Sequence, residues 1–199
     1  MIGRQKNPIL DRRIRIGVVG CGRISRNHFK AIGEYADDLE LVGACDNDPA
    51  RLDQDFIPGD VPRYDLLPDM LGQAEPDIVA VCTPSGMHPR QTIETAEAGV
   101  HVMTEKPMAT RWKDGLRMVE ACDDAGVHLF VVKQNRFNAT LQLLRRAIDE
   151  GRFGRIYMAG VNVFWTRPQD YYDTDRWRGT WELDGGAFMN QASHYVDLL

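Results

Sequence analysis

Residues 13–25, RIRIGVVGCGRIS, leave the chain few choices of fold. Ile14, Ile16, Val18 and Val19 form a short apolar run bounded by charge and glycine, the pattern of a strand buried in a parallel sheet. The run ends in Gly20-Cys21-Gly22, and residues 24–36 then take up helical spacing. A strand that turns through glycines into a helix start is built to hold a phosphate. The helix N-terminus presents unpaired N–H groups and partial positive charge, and Gly22 lets the backbone come close.

Strand-like and helix-like stretches alternate beyond it. Strands are expected at 40–45, 77–82, 101–104 and 128–132, with helices near 50–56, 90–98 and 111–125 between them. Strands this apolar, separated by helices, imply an α/β fold: a doubly wound parallel sheet covered on both faces, spanning residues 1–135. The pattern changes near Arg136. Residues 141–150 read as an amphipathic helix stopped by Gly151. Residues 157–165 alternate loosely as a strand, 166–184 form an aromatic, charged loop, and a helix begins near Gly186. That helix runs into Leu199 without a stop signal. A lone strand makes no stable sheet, so residues 136–199 are expected to be the front part of a truncated second, α+β domain.

Composition removes several classes of function. The 199 residues are 43% hydrophobic and 27% charged, as in an ordinary soluble globular protein. A net charge of −5 argues against a nucleic-acid partner. Residues 4–13 read as a solvated leader without the apolar stretch of a signal peptide. No run reaches the ~18 apolar residues of a membrane span. Cys21, Cys45, Cys82 and Cys122 lack C-x-x-C spacing, which disfavours a disulfide framework or a metal site and fits a reducing cytoplasm.

The chemistry-bearing residues fall at strand ends. Gly20-x-Gly22-x-x-Ser25, with Arg23 and Ile24 opening the helix, departs from the dinucleotide fingerprint only at its third position, where serine is still small. Asp46 follows the second strand, where an acid hydrogen-bonds the adenosine ribose and repels a 2′-phosphate, favouring NAD over NADP. The same side chain is also placed to cap the Asn47-Asp48-Pro49 turn. Thr83-Pro84-Ser85 leaves the next long strand on the ligand-binding edge, as cofactor contact or as a polar turn; His88 beside it suits either packing or binding. Glu105-Lys106-Pro107 occupies the same edge, and partial desolvation there suits Lys106 to proton handling. On the last helix Asn190, His194 and Asp197 are spaced i, i+4, i+7, which predicts one face. His194 then accepts a proton, Asn190 orients a hydroxyl and Asp197 holds the imidazole.

Taken in order, GVVGCGRIS, CDNDP, VCTPSGMH, EKPMA, KQNRF, GRFGRI and GGAFMNQASHYVDLL resemble the signature series of the glucose–fructose oxidoreductase and inositol 2-dehydrogenase family. The later stretch, from VNVFWTRPQDYY onward, is most similar to its UDP-N-acetyl-D-glucosaminuronate 3-dehydrogenase branch, which serves surface-polysaccharide synthesis. The resemblance implies a Rossmann domain, a C-terminal open-sheet domain and a homo-oligomer, dimer or tetramer. It implies NAD as cofactor, with Gln134 among its contacts, and a nucleotide-sugar substrate. It makes Lys106 and His194 the catalytic pair, with Asn190 in a positioning role where many relatives carry Asp. Arg136, Arg167 and Arg178 are then expected to grip the substrate carboxylate or diphosphate, because a guanidinium matches either bidentately. Trp165, Trp177 and Trp181 are either walls for the sugar or uracil, or domain-interface packing. Two other readings stay open: a dehydrogenase of inositol or a simple sugar, and a non-catalytic NAD-binding chain.

Overall fold

The computed structural model describes residues 9–199, so half of the expected leader, residues 4–8, lies outside it. Six parallel strands form one sheet in the order β3-β2-β1-β4-β5-β6. They are β1 (Ile14–Val19), β2 (Leu39–Cys45), β3 (Arg63–Tyr64), β4 (Ile78–Val81), β5 (His101–Thr104) and β6 (Leu129–Val131). Between them run α1 (Ser25–Glu34), α2 (Pro49–Leu52), α3 (Leu67–Ala74), α4 (His88–Glu97) and α5 (Trp112–Ala125). The strand order reverses between β1 and β4. A doubly wound sheet opens a ligand crevice at that point, outside the strands' carboxyl ends.

Alternation along the strands divides the core in two. Val19, Val42, Val79, Val81 and Val102 pack with Met70, Ala96 and Cys122 on one face. Ile16, Val18, Ala44 and Ala80 pack with Phe29, Ile32, Leu52 and Ile57 on the other. Two elements escaped the sequence reading. β3 has only two residues, too few to show a period, and α3 follows it with Pro68 in its first turn. The helix expected over 50–56 is shorter, because Asp48 caps Ala50 N–H (3.0 Å) and α2 ends at Leu52.

Beyond β6 a 3-10 turn (Gln134–Phe137) leads into α6 (Ala139–Asp149). Gly151 ends it as expected, at φ +69° with its N–H on Ile148 O (2.9 Å). The strand expected over 157–165 is absent; these residues are irregular and exposed. Strand backbone needs a neighbour to hydrogen-bond, and none is present among the described residues. A short α7 (Gln169–Asp173) interrupts the aromatic loop, and the last helix is a π-turn (Phe188–Ala192) followed by α8 (Ser193–Leu198).

This tail returns to the carboxyl edge of the sheet. Gly86 donates its N–H to Leu183 O (2.9 Å), and a Cβ at Gly86 would fall 2.2 Å from Glu182 O. Only glycine admits so close an approach. Arg51 of α2 pairs with Asp175 (3.2 Å), and Lys133 Nζ reaches Ser193 O (3.5 Å). The terminal helix is thereby held against the rim formed by the turns after β4 and β5.

Candidate active site

The crevice is a cleft of about 1880 Å³, lined by the glycine-rich turn, the ends of β2 and β4, Glu105, Lys106 and the tail. That exceeds the ~300–1,000 Å³ of a site for one small molecule and leaves room for two ligands. Gly20 sits at φ +88°, and a Cβ there would lie 2.6 Å from Thr83 N, so the turn between β1 and α1 requires glycine. Ser25 Oγ donates to Gly22 O (2.6 Å), tightening the first turn of α1. Ile24 offers α1 no side-chain cap, and Ile24, Arg26 and Asn27 at the start of the helix line the cleft. Asp46 accepts Cys21 N–H (2.8 Å) on one oxygen and Asp48 N–H (3.0 Å) on the other, tying the glycine turn to the end of β2. A turn without Cβ atoms, an uncapped helix start and a flanking carboxylate together fit a dinucleotide diphosphate with its adenosine ribose.

Arg23, Ile24, Thr83, Pro84, Glu105 and Gln134 all line this cleft. His88 does not. It is almost wholly buried, with Nδ1 2.9 Å from Pro107 O and Nε2 2.9 Å from Thr83 O. It therefore ties the turns after β4 and β5 together from beneath the ligand space. Burial lowers its pKa, which favours the neutral ring.

At the rim, Lys106 Nζ donates to Asn190 O (2.9 Å) and to Asn190 Oδ1 (3.0 Å). The Asn190 amide is turned that way by buried Asp184, whose Oδ1 accepts from Asn190 Nδ2 while Oδ2 accepts Gly179 N–H (2.9 Å). An ammonium has three donors, so one N–H of Lys106 remains uncommitted. Burial lowers the Lys106 pKa, while Glu105 and Asp184 act against that shift. His194 lines the same cleft, buried, with Nδ1 lacking a hydrogen-bond partner among the described residues. Its pKa is also lowered, first by burial and then by the charges of Lys106 and Lys133.

Two expectations about orientation fail. Asp197 does not hold the His194 imidazole; its carboxylate takes a two-pronged bond from Arg136 (2.8 and 2.6 Å). Arg136 is thereby paired and is not among the residues that line the cleft. Arg167 and Arg178 do line the cleft, as do Trp165 and Trp177, whereas Trp181 is exposed outside it. The sequence reading missed Asp184, Lys133, Arg51 and His28, whose Nε2 lies 2.9 Å from Glu105 Oε1. Each meets its partner only through the tertiary fold, so spacing carries no sign of it. Cys21, beside the cradle, is no nucleophile: burial pushes its thiol up to about 12.

A parallel sheet of this order, with a glycine cradle and a lysine and histidine at its rim, defines a dinucleotide-binding oxidoreductase domain. Residues 14–133 match the family described as "Oxidoreductase family, NAD-binding Rossmann fold", and residues 141–199 match the GFO/IDH/MocA C-terminal domain. The chain belongs to the GFO/IDH/MocA oxidoreductase family. Among solved structures it is similar to the WlbA dehydrogenase from Bordetella pertussis in complex with NADH and UDP-GlcNAcA: 64% identity, TM-score 0.93, covering 96% of this chain and 56% of that one. The WlbA dehydrogenase from Chromobacterium violaceum, with the same two ligands, is also 64% identical, with TM-score 0.94 and coverage of 100% and 57%. A curated relative, 1-carboxy-3-chloro-3,4-dihydroxycyclohexa-1,5-diene dehydrogenase of Comamonas testosteroni, is 31% identical over 94% of this chain and 46% of its own length. The chain spans about half the length of the curated relatives it matches.

Proposed function

We propose that the chain forms the cofactor and catalytic part of an NAD-dependent dehydrogenase. Its substrate is a UDP-N-acetylglucosaminuronate-type nucleotide sugar, oxidised at the 3-hydroxyl. The observation that carries this reading is that Lys106 and His194 line one cleft beside the glycine cradle, with Asn190 joined to Lys106 one helical turn before His194. The likeness to two structures holding NADH and UDP-GlcNAcA supports it. Residues 136–199 are, in this reading, the beginning of the substrate and oligomerisation domain. The four buried free thiols suit a reducing cytoplasm.

Gly20, Gly22 and the start of α1 hold the diphosphate, and Asp46 receives the adenosine ribose and disfavours a 2′-phosphate. Bound there, NAD supplies the two-electron acceptor. The uncommitted N–H of Lys106 hydrogen-bonds the substrate carbinol oxygen and fixes its distance from the cofactor. His194, held neutral by its surroundings, takes the hydroxyl proton at Nε2, because Nδ1 is shut off from solvent. Asn190 and Asp184 keep Lys106 in register. The product is a 3-keto nucleotide sugar, a substrate for transamination on the way to surface-polysaccharide sugars. NAD reduction measured with UDP-N-acetylglucosaminuronate, myo-inositol and free sugars tests this reading; turnover of free polyols alone would overturn the substrate class.

A further inference from the structure

Three arginines were expected to grip the substrate, and their pairing separates them. Arg136 is neutralised by Asp197 outside the cleft. Arg178 is nearly buried and donates Nε to Asp175 (3.0 Å), which also holds Arg51 (3.2 Å). Arg167 differs. It has no carboxylate partner among the described residues; NH1 and NH2 donate to the neutral acceptors Thr166 O (3.4 Å) and Gln191 Oε1 (3.0 Å), and Nε is shut off from solvent without a partner. Its guanidinium lies over Trp165 (4.2 Å) and near Tyr171 (5.2 Å). Aromatic contact occupies the face of a guanidinium and leaves its in-plane donors for a planar anion. Gln191 directly follows Asn190, the residue that holds Lys106, so this cation is tied to the rim where the proton is handled.

Building on the nucleotide-sugar reading, we infer that Arg167 is the specificity residue for the sugar carboxylate, and that Arg178 and Arg136 are structural. The carboxylate enters edge-on, meets the remaining N–H donors of the two terminal guanidinium nitrogens and adds a charged partner to the neutral ones. A sugar with a neutral hydroxymethyl group offers those donors only a single uncharged acceptor.

The test is calorimetric titration of the NAD-loaded chain with UDP-N-acetylglucosaminuronate and with UDP-N-acetylglucosamine, for the wild type, Arg167→Gln, Arg167→Lys and Arg178→Lys. Charge-assisted hydrogen bonds of this kind are worth about 10- to 150-fold in affinity. The preference for the uronate should fall by that factor in Arg167→Gln. Arg167→Lys should recover part of it, Arg178→Lys should keep it, and NAD affinity should be retained in all three as evidence of folding. If Arg167→Gln weakens both sugars equally, or Arg178→Lys abolishes the preference instead, the assignment of Arg167 is overturned while the nucleotide-sugar reading stands. A wild type that binds neither sugar overturns both.

Discussion

Lys106 is the residue at which the architecture converges: two of its N–H groups are spent on Asn190, and its charge adds to burial in lowering the pKa of His194. Lys106→Met should keep NAD affinity and lower turnover at least ~100-fold, the usual scale for losing an acid–base group. Fluorescence titration with NADH and the rate of NAD reduction check both halves, and normal turnover would remove Lys106 from the mechanism. The pKa directions also set a pH profile. In the proposed reaction His194 acts as a base in its neutral form, and its pKa is lowered from 6.5, so kcat/KM for oxidation should rise with pH through an acid limb below 6.5. The Lys106 pKa is lowered from 10.5, so the alkaline decline as it loses its proton should lie below 10.5. His194→Asn should abolish the acid limb; a limb centred above 6.5 in the wild type would contradict the assignment. That both residues would lie at the ligand edge was legible in the sequence, because strand ends and helix faces leave a periodic trace. Asp184, which aims the Asn190 amide, left none, since a lone Asp before a Gly-Gly pair reads as any turn.

Among the elements, the ends of β1 and β2 do the most. Their joint is made by Asp46, whose two oxygens hold Cys21 and Asp48 N–H groups. The sequence left Asp46 between a ribose role and a capping role; the structure gives it the cap and leaves it lining the cleft as well. Asp46→Ser combined with Asn47→Arg should therefore do two things. Cofactor preference should move toward NADP by about tenfold or more, because the carboxylate that repels a 2′-phosphate is replaced by a guanidinium that binds it. Thermal unfolding should show a loss of about 1–3 kcal/mol, since two N–H groups lose a charged acceptor. Unchanged cofactor choice would mean that Asp46 does not meet the ribose. The terminal helix shows the opposite case. Its i, i+4, i+7 spacing suggested a single triad, but a π-turn falls within it and Arg136 draws Asp197 aside. Spacing locates residues on a helix; it does not say which partner a side chain finds.

Across the whole molecule, the Rossmann half is well packed, whereas residues 137–165 present uncovered apolar side chains. Phe137, Leu143, Phe153, Met158 and Phe164 are between 57% and 94% exposed, and α6 buries none of its residues. Apolar surface of this extent is rarely left in water. The chain should self-associate, and light scattering that shows a clean monomer at micromolar concentration would contradict this. The apolar strand runs, the glycine turn and the acid after β2 determined the parallel sheet and its ligand edge from sequence alone, because strand burial and positive φ impose residue choices that are local and periodic. The tertiary structure alone decided which charges meet: Arg51 with Asp175, Arg136 with Asp197, Lys106 with Asn190, and Arg167 with no acid among the described residues. Those pairings join residues far apart in the chain, and a charge at the surface carries no local signature of the partner that folding brings to it.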